Sequence, residues 1–195
     1  MNWIKAILLG LPFSVLATAG TLTYTEQGYL SGSLGQTTFT NALVTFSVGG
    51  TPSSIHYAGN QYWDVFPGGT ATLTIAGIPG TAAITNVALV AAWLCTSGCS
   101  TGAGFGFDAD GIYTELATLD PIFGTYDLTT PIGPVSGGAF GSAANLDTDK
   151  GLFVISSYTG TTTIFTASDV PEPGSLALLA GAAALLLAAR RRLAR

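Results

Sequence analysis

Apolar and polar side chains alternate with a period of two over much of the chain. Residues 21–25, Thr-Leu-Thr-Tyr-Thr, place three hydroxyl-bearing side chains on one face and two apolar ones on the other, and residues 70–75, Thr-Ala-Thr-Leu-Thr-Ile, repeat that design. Successive side chains of a strand point to opposite faces, so such alternation predicts a half-buried β-strand. Further strands are predicted at residues 37–48, 62–66, 112–119, 125–128, 152–158 and 161–167. Turn residues punctuate them at Gly49-Gly50, Pro67-Gly68-Gly69, Pro79-Gly80, Asp110-Gly111 and Gly137-Gly138. Residues 82–94 are almost continuously apolar, which suits a central strand or a buried helix. Their position between Gly/Pro turns, with Ile84, Thr85, Val87 and Val90, favours strand. No capped stretch of helical period interrupts the series. Many short strands between frequent turns predict an all-β fold, an antiparallel β-sandwich or jelly-roll-like ectodomain.

Both ends break this pattern. Residues 1–19 carry a short n-region with Lys5, an apolar run over 6–16 broken by Gly10, Pro12 and Ser14, and then Ala17-Thr18-Ala19. Small residues at Ala17 and Ala19 are what a signal peptidase reads, so cleavage is predicted before Gly20. At the other end, Val170-Pro171-Glu172-Pro173-Gly174-Ser175 is stiffened by two prolines. Residues 176–189 contain only Leu, Ala and Gly, and Arg190, Arg191 and Arg192 follow. As a helix those fourteen residues span about 21 Å, short of the ~30 Å hydrocarbon core. Gly174, Ser175 and snorkelling arginines extend the run enough for a short transmembrane helix. The arginine cluster then stays cytoplasmic and the body lies outside. A plain tail anchor accounts for the apolar run and the arginines but leaves Pro171-Glu172-Pro173 unexplained.

The whole 195-residue chain is 48% hydrophobic and only 9% charged, with a formal charge of −5. Soluble domains usually carry about 25% charged residues. The charge is also partitioned. Between residues 20 and 169, Lys150 alone faces ten acids, which leaves −9 on the body. Such a surface repels phosphate backbones and anionic headgroups, so the function is not nucleic-acid binding. One His and two Cys exclude a multi-histidine metal site, an iron–sulfur cluster and a zinc ribbon.

The segment 170–195, with Pro-Glu-Pro, a short apolar helix and a terminal basic cluster in that order, resembles a PEP-CTERM sorting signal. The resemblance implies recognition by a membrane cysteine transpeptidase of the exosortase type. It implies cutting near Pro171-Glu172-Pro173, and an inner-membrane intermediate followed by the cell surface or extracellular matrix of a Gram-negative bacterium that makes exopolysaccharide. The logic parallels other processed hydrophobic tails. Within residues 20–169, the runs at 28–48, 70–85 and 126–137 also resemble an uncharacterised ectodomain found upstream of such tails, which supports one all-β domain and implies no activity. The predicted organisation is therefore signal peptide 1–19, ectodomain 20–169 and sorting signal 170–195.

Candidate chemistry in the body is sparse. In an exported protein Cys95 and Cys99 are expected to form a disulfide across a three-residue hairpin loop. Gly98-Cys99-Ser100-Thr101-Gly102 has the outline of a nucleophile elbow, but that motif needs a following helix and a later histidine, and His56 lies upstream. Residues 102–107 miss the third glycine of a dinucleotide fingerprint, since Phe107 occupies it. Asp108 and Asp110, and Asp147 and Asp149, are spaced as in calcium loops, yet neither pair continues to an EF-hand; Asp-rich turns capped by their own side chains explain them, with weak calcium binding as the alternative. Asp64, Asp108, Asp110 and Glu115 are carboxylates available to a glycosidase, with Tyr62, Trp63 and Trp93 as sugar platforms, although aromatic residues of this kind more often fill a core. His56 has no ligand partner and reads as a surface or strand-end residue. The threonine runs are too isolated to form an ice- or mineral-binding array, and no Asn-linked glycosylation sequon is present. The sequence thus predicts a non-catalytic exported surface or matrix protein with exopolysaccharide as a candidate partner. A carbohydrate- or calcium-binding lectin-like module is the alternative, and a secreted hydrolase a third.

Overall fold

Burial along the first strand follows the alternation of the sequence. In β1 (Leu22–Leu34) the side chains of Leu22, Tyr24, Glu26 and Leu30 are buried, and those of Thr23, Thr25 and Gln27 are half-buried on the other face. The computed structural model describes residues 21–51, 54–109, 112–141 and 145–170, without the side chains of 108, 109, 112–115 and 140. Eleven further strands follow: β2 (Thr37–Gly50), β3 (His56–Ala58), β4 (Gln61–Phe66), β5 (Thr72–Ile75), β6 (Ile78–Ala83), β7 (Val87–Trp93), β8 (Gly102–Ala109), β9 (Ile112–Leu119), β10 (Ile132–Gly141), β11 (Asn145–Leu146) and β12 (Phe153–Asp169). Among the described residues a 3-10 turn at Pro121–Thr125 buries Phe123 in the core. Among the described residues no helix is long and apolar enough to cross a membrane. The expected signal helix and C-terminal transmembrane helix lie outside the described residues.

All strands join one antiparallel sheet in the order β3-β4-β7-β8-β9-β10-β12-β1-β2-β5-β6, with β11 paired beside β12. The all-β antiparallel expectation is met. The layering differs from two separately bonded sheets, because one sheet curls into a half-barrel and packs its inner face against itself. Phe46 on β2 meets Phe105 and Phe107 on β8 at ring-centroid distances of 6.4 and 5.3 Å, although these strands are far apart in the sheet order. Tyr24 on β1 likewise meets Phe66 on β4 at 6.3 Å. Strand twist makes a long open sheet curl, and here the curl creates the core.

Several boundaries depart from the sequence reading for physical reasons. Residues 125–128 are not a strand. Asp120 accepts a hydrogen bond from the Ile122 amide at 2.9 Å and Pro121 pre-sets a helical φ, so a 3-10 turn forms, and Leu128 then adopts φ +64°. Gly137-Gly138 is not a turn but lies inside β10, where a Cβ on Gly137 would collide with the Leu119 carbonyl. Gly49-Gly50 completes β2 opposite Thr23 and Leu22. Pro79-Gly80 sits in the edge strand β6, where a missing amide costs no ladder bond, and the turn is at Ala76-Gly77 with Gly77 at φ +89°. Segments 152–158 and 161–167 merge into β12, which passes an irregularity opposite Tyr29. Residues 82–94 are extended rather than helical, but a bend at Asn86 divides them between β6 and β7.

Candidate functional site

The outer face of β4, β7, β8 and β9 carries two rows of side chains set by the strand register. Trp63, Ala91, Gly104 and Ala117 are successive partners in one row, and Gln61, Trp93, Gly102 and Leu119 in the next. The small residues Ala91, Gly104 and Ala117 form a floor bordered by Trp63, Trp93, Leu89 and Leu119. Gly104 is required there, since a Cβ would collide with the Leu116 carbonyl and with Ala117. The result is an open cavity of about 800 Å³ lined by Trp63, Trp93, Gln61, Leu89, Leu119 and the Cys95–Ser100 loop, among others.

Both tryptophans are half-buried and held in place. The Trp93 indole N–H donates to the Ser100 carbonyl at 2.7 Å, and its ring lies against Gly102. Trp63 stacks on its cross-strand partner His56, with centroids 5.8 Å apart and planes 26° from parallel. Cys95 and Cys99 are joined as a disulfide with Cα atoms 5.6 Å apart, and Gly98 takes φ +71° between them. The cross-link closes the β7–β8 loop that walls the cavity, so the cysteine expectation is met and acquires a place. Beyond Ser100 the chain enters β8 rather than a helix, so the elbow-like pentapeptide lacks the structural context of that motif.

The described carboxylates are dispersed. Asp64 points inward, 2% exposed, accepting from the Ser54 hydroxyl at 2.7 Å and from the Val65 amide at 2.9 Å, so it does not share the cavity with Trp63. Asp149 accepts from the Ala83 amide at 2.8 Å and the Asp147 amide donates to Asn86 Oδ1 at 2.6 Å, which are loop-pinning roles. Among the described residues no group of three or more His, Cys, Asp or Glu could hold a metal. The side chains of Asp108 and Glu115, together with Asp110, Ala17, Ala19, Gly20, Pro171, Glu172, Pro173, Arg190, Arg191 and Arg192, lie outside the described set. Tyr62 packs on Tyr57 at 4.6 Å, on the face opposite Trp63.

A second polar cluster, missed by the sequence reading, lies inside the curl. Glu26 is fully buried. Its Oε1 is 2.7 Å from Thr118 Oγ1, which is 2.9 Å from Thr163 Oγ1, and the Thr163 hydroxyl donates to the Ala117 carbonyl at 2.9 Å. A single Thr118 proton cannot serve both neighbours. With Glu26 protonated, each hydroxyl in the chain donates once, from Glu26 to Thr118 to Thr163 to Ala117. Burial pushes the Glu26 carboxyl well above the usual range, against the opposing effect of the Thr118 and Thr163 hydrogen bonds. Oε2 has no hydrogen-bond partner among the described residues. The signal was available in the parity of β1, where Glu26 shares the face of Leu22 and Tyr24.

The ends of the body meet. Leu22 at the start of β1 pairs with Asp169 at the end of β12, and the Val170 amide donates to the Thr21 carbonyl at 2.9 Å. Directly beyond this closure, residues 169–192 match the family model of the PEP-CTERM protein-sorting motif. That motif implies an exported protein recognised at its C-terminus by an exosortase. No curated protein and no solved structure matches the chain.

Proposed function

From the premise that this chain carries a PEP-CTERM protein-sorting motif at residues 169–192, we propose that it is a non-catalytic protein of the cell surface or extracellular matrix. The leader at 1–19 sends the body across the inner membrane, and the apolar segment 176–189 holds it there with Arg190, Arg191 and Arg192 on the cytoplasmic side. An exosortase-type transpeptidase then cuts near Pro171-Glu172-Pro173. The observation that carries this reading is the position of the motif, which begins where β12 ends. Cutting beyond Val170 leaves every β1–β12 pair intact, so the body survives loss of both addresses as a folded unit.

A non-catalytic body fits the dispersal of its described carboxylates, because Asp64 and Asp149 are occupied with local hydrogen bonds and neither lines the tryptophan cavity. The test is replacement of Pro171, Glu172 and Pro173 by alanine in the native host, followed by fractionation. The variant is expected to accumulate in the inner membrane at full length, and its normal arrival at the surface overturns the sorting mechanism.

A further inference from the structure

We propose that the cavity between Trp63 and Trp93 is a binding site for a neutral glycan chain. Its lining includes two indoles held by contacts within the chain, Trp93 by its bond to Ser100 and Trp63 by stacking on His56. Pre-set aromatic faces lower the ordering cost of binding and offer flat apolar surface to the C–H faces of pyranose rings. Ala91, Gly104 and Ala117 keep the floor low, and backbone contact at Gly104 prevents any larger residue from filling it. A cavity of about 800 Å³ lies in the range that encloses a ligand the size of a short oligosaccharide.

Charge selects the class of glycan. Among the described residues none that lines the cavity is charged, Glu115 on β9 is the cross-strand partner of the lining Gly106, and the body carries −9 around them, so an anionic polysaccharide is repelled. The Gln61 side-chain amide makes no hydrogen bond among the described residues, and with the Ser100 hydroxyl it offers neutral donors and acceptors at the rim. Aromatic walls with a few neutral polar groups suit a neutral saccharide better than a wholly apolar guest, which would leave those groups unpaired. The proposal stands on the cavity and not on the sorting reading: alanines at Pro171, Glu172 and Pro173 change where the chain goes and not what it binds.

The test uses the full chain in mild non-ionic detergent, titrated calorimetrically with a panel of neutral α- and β-glucan, mannan and galactan oligosaccharides, with alginate as the anionic control and Nile red as an apolar probe. Saturable binding of at least one neutral oligosaccharide, and none of alginate, is expected. Trp63→Ala should weaken it at least about tenfold, the loss of one stacking surface. Trp93→Phe should weaken it too, while Tyr29→Ala, which removes an aromatic group 50% exposed elsewhere on the sheet, should leave it unchanged. Thermal midpoints of the variants separate lost binding from lost folding. The proposal is overturned if no neutral oligosaccharide of the panel binds, if folded Trp63→Ala binds as well as the parent, or if Nile red alone occupies the cavity in a Trp63-dependent way.

Discussion

Leu22 and Asp169 are cross-strand partners, and one residue further out the Val170 amide closes onto the Thr21 carbonyl at 2.9 Å. The two ends of the ectodomain therefore leave the sheet at one point. Under the proposed sorting scheme, leader and sorting signal would both present the body to the membrane through that single end. The groove between Trp63 and Trp93 is built instead on β4, β7, β8 and β9.

Removal of both addresses is predicted to leave stability unchanged. A chain limited to residues 20–170 should show the thermal midpoint of the full ectodomain, whereas one ending at residue 160 loses the Leu22–Gly28 half of the β1–β12 ladder and should not unfold cooperatively. Calorimetry of the two truncations checks both outcomes.

Glu26 makes stability depend on pH in the sense opposite to a salt-bridged carboxylate. Its folded pKa lies well above the ordinary value of 4.5, so the native state binds more protons than the unfolded chain above that pH. Stability is fully present below the unfolded pKa and falls as pH rises toward the folded one, by at most about 1.4 kcal/mol per pH unit. Glu26→Gln keeps a neutral hydrogen-bonding group and should flatten this slope in the range above the ordinary carboxyl value of 4.5. Denaturant titrations at several pH values decide it; equal slopes for parent and variant contradict a protonated Glu26.

Gly104→Ala should destabilise by about 1–3 kcal/mol or more, because the new methyl meets the Leu116 carbonyl rather than a side chain that can turn aside. Gly59→Ala supplies the contrast: it faces open space, and at φ +59° it should cost only the strain of a left-handed alanine, about 1 kcal/mol. Urea midpoints of the two variants should rank in that order.

Cys95→Ser removes a short-loop cross-link and should cost about 2 kcal/mol, or roughly 4–8 °C in thermal midpoint. Treatment of the parent with a reductant should reproduce the shift. A variant as stable as the parent would show that the Trp93–Ser100 and Cys95–Thr101 hydrogen bonds hold the loop without the disulfide.

Period-two alternation was enough to read β2, β4 and the first residues of β1 from the sequence, but not the continuation of β1 from Glu26 to Leu34. It was not enough for β8 or β10. In Gly102–Ala109 and Ile132–Gly141, glycine is where neighbouring strands come too close for a Cβ, as at Gly104 and Gly137, and not where the chain turns. The same ambiguity hid the cavity floor. Trp63 and Trp93 could be named from residue type only as candidate sugar platforms or core residues, and their juxtaposition depends on the register of β4 with β7, which no local pattern specifies. The disulfide was legible because four residues of separation and export leave few alternatives. The inward direction of Asp64 was not, since one residue of register decides which face a side chain takes.

The most direct test of the central claim is the intact mass of the mature protein from its native host, taken together with its cell fraction. Export and exosortase sorting predict a chain beginning at Gly20 and ending near Pro171, recovered at the surface or in the matrix. A mass running through Arg192 to Arg195, recovered in the inner membrane, would contradict it.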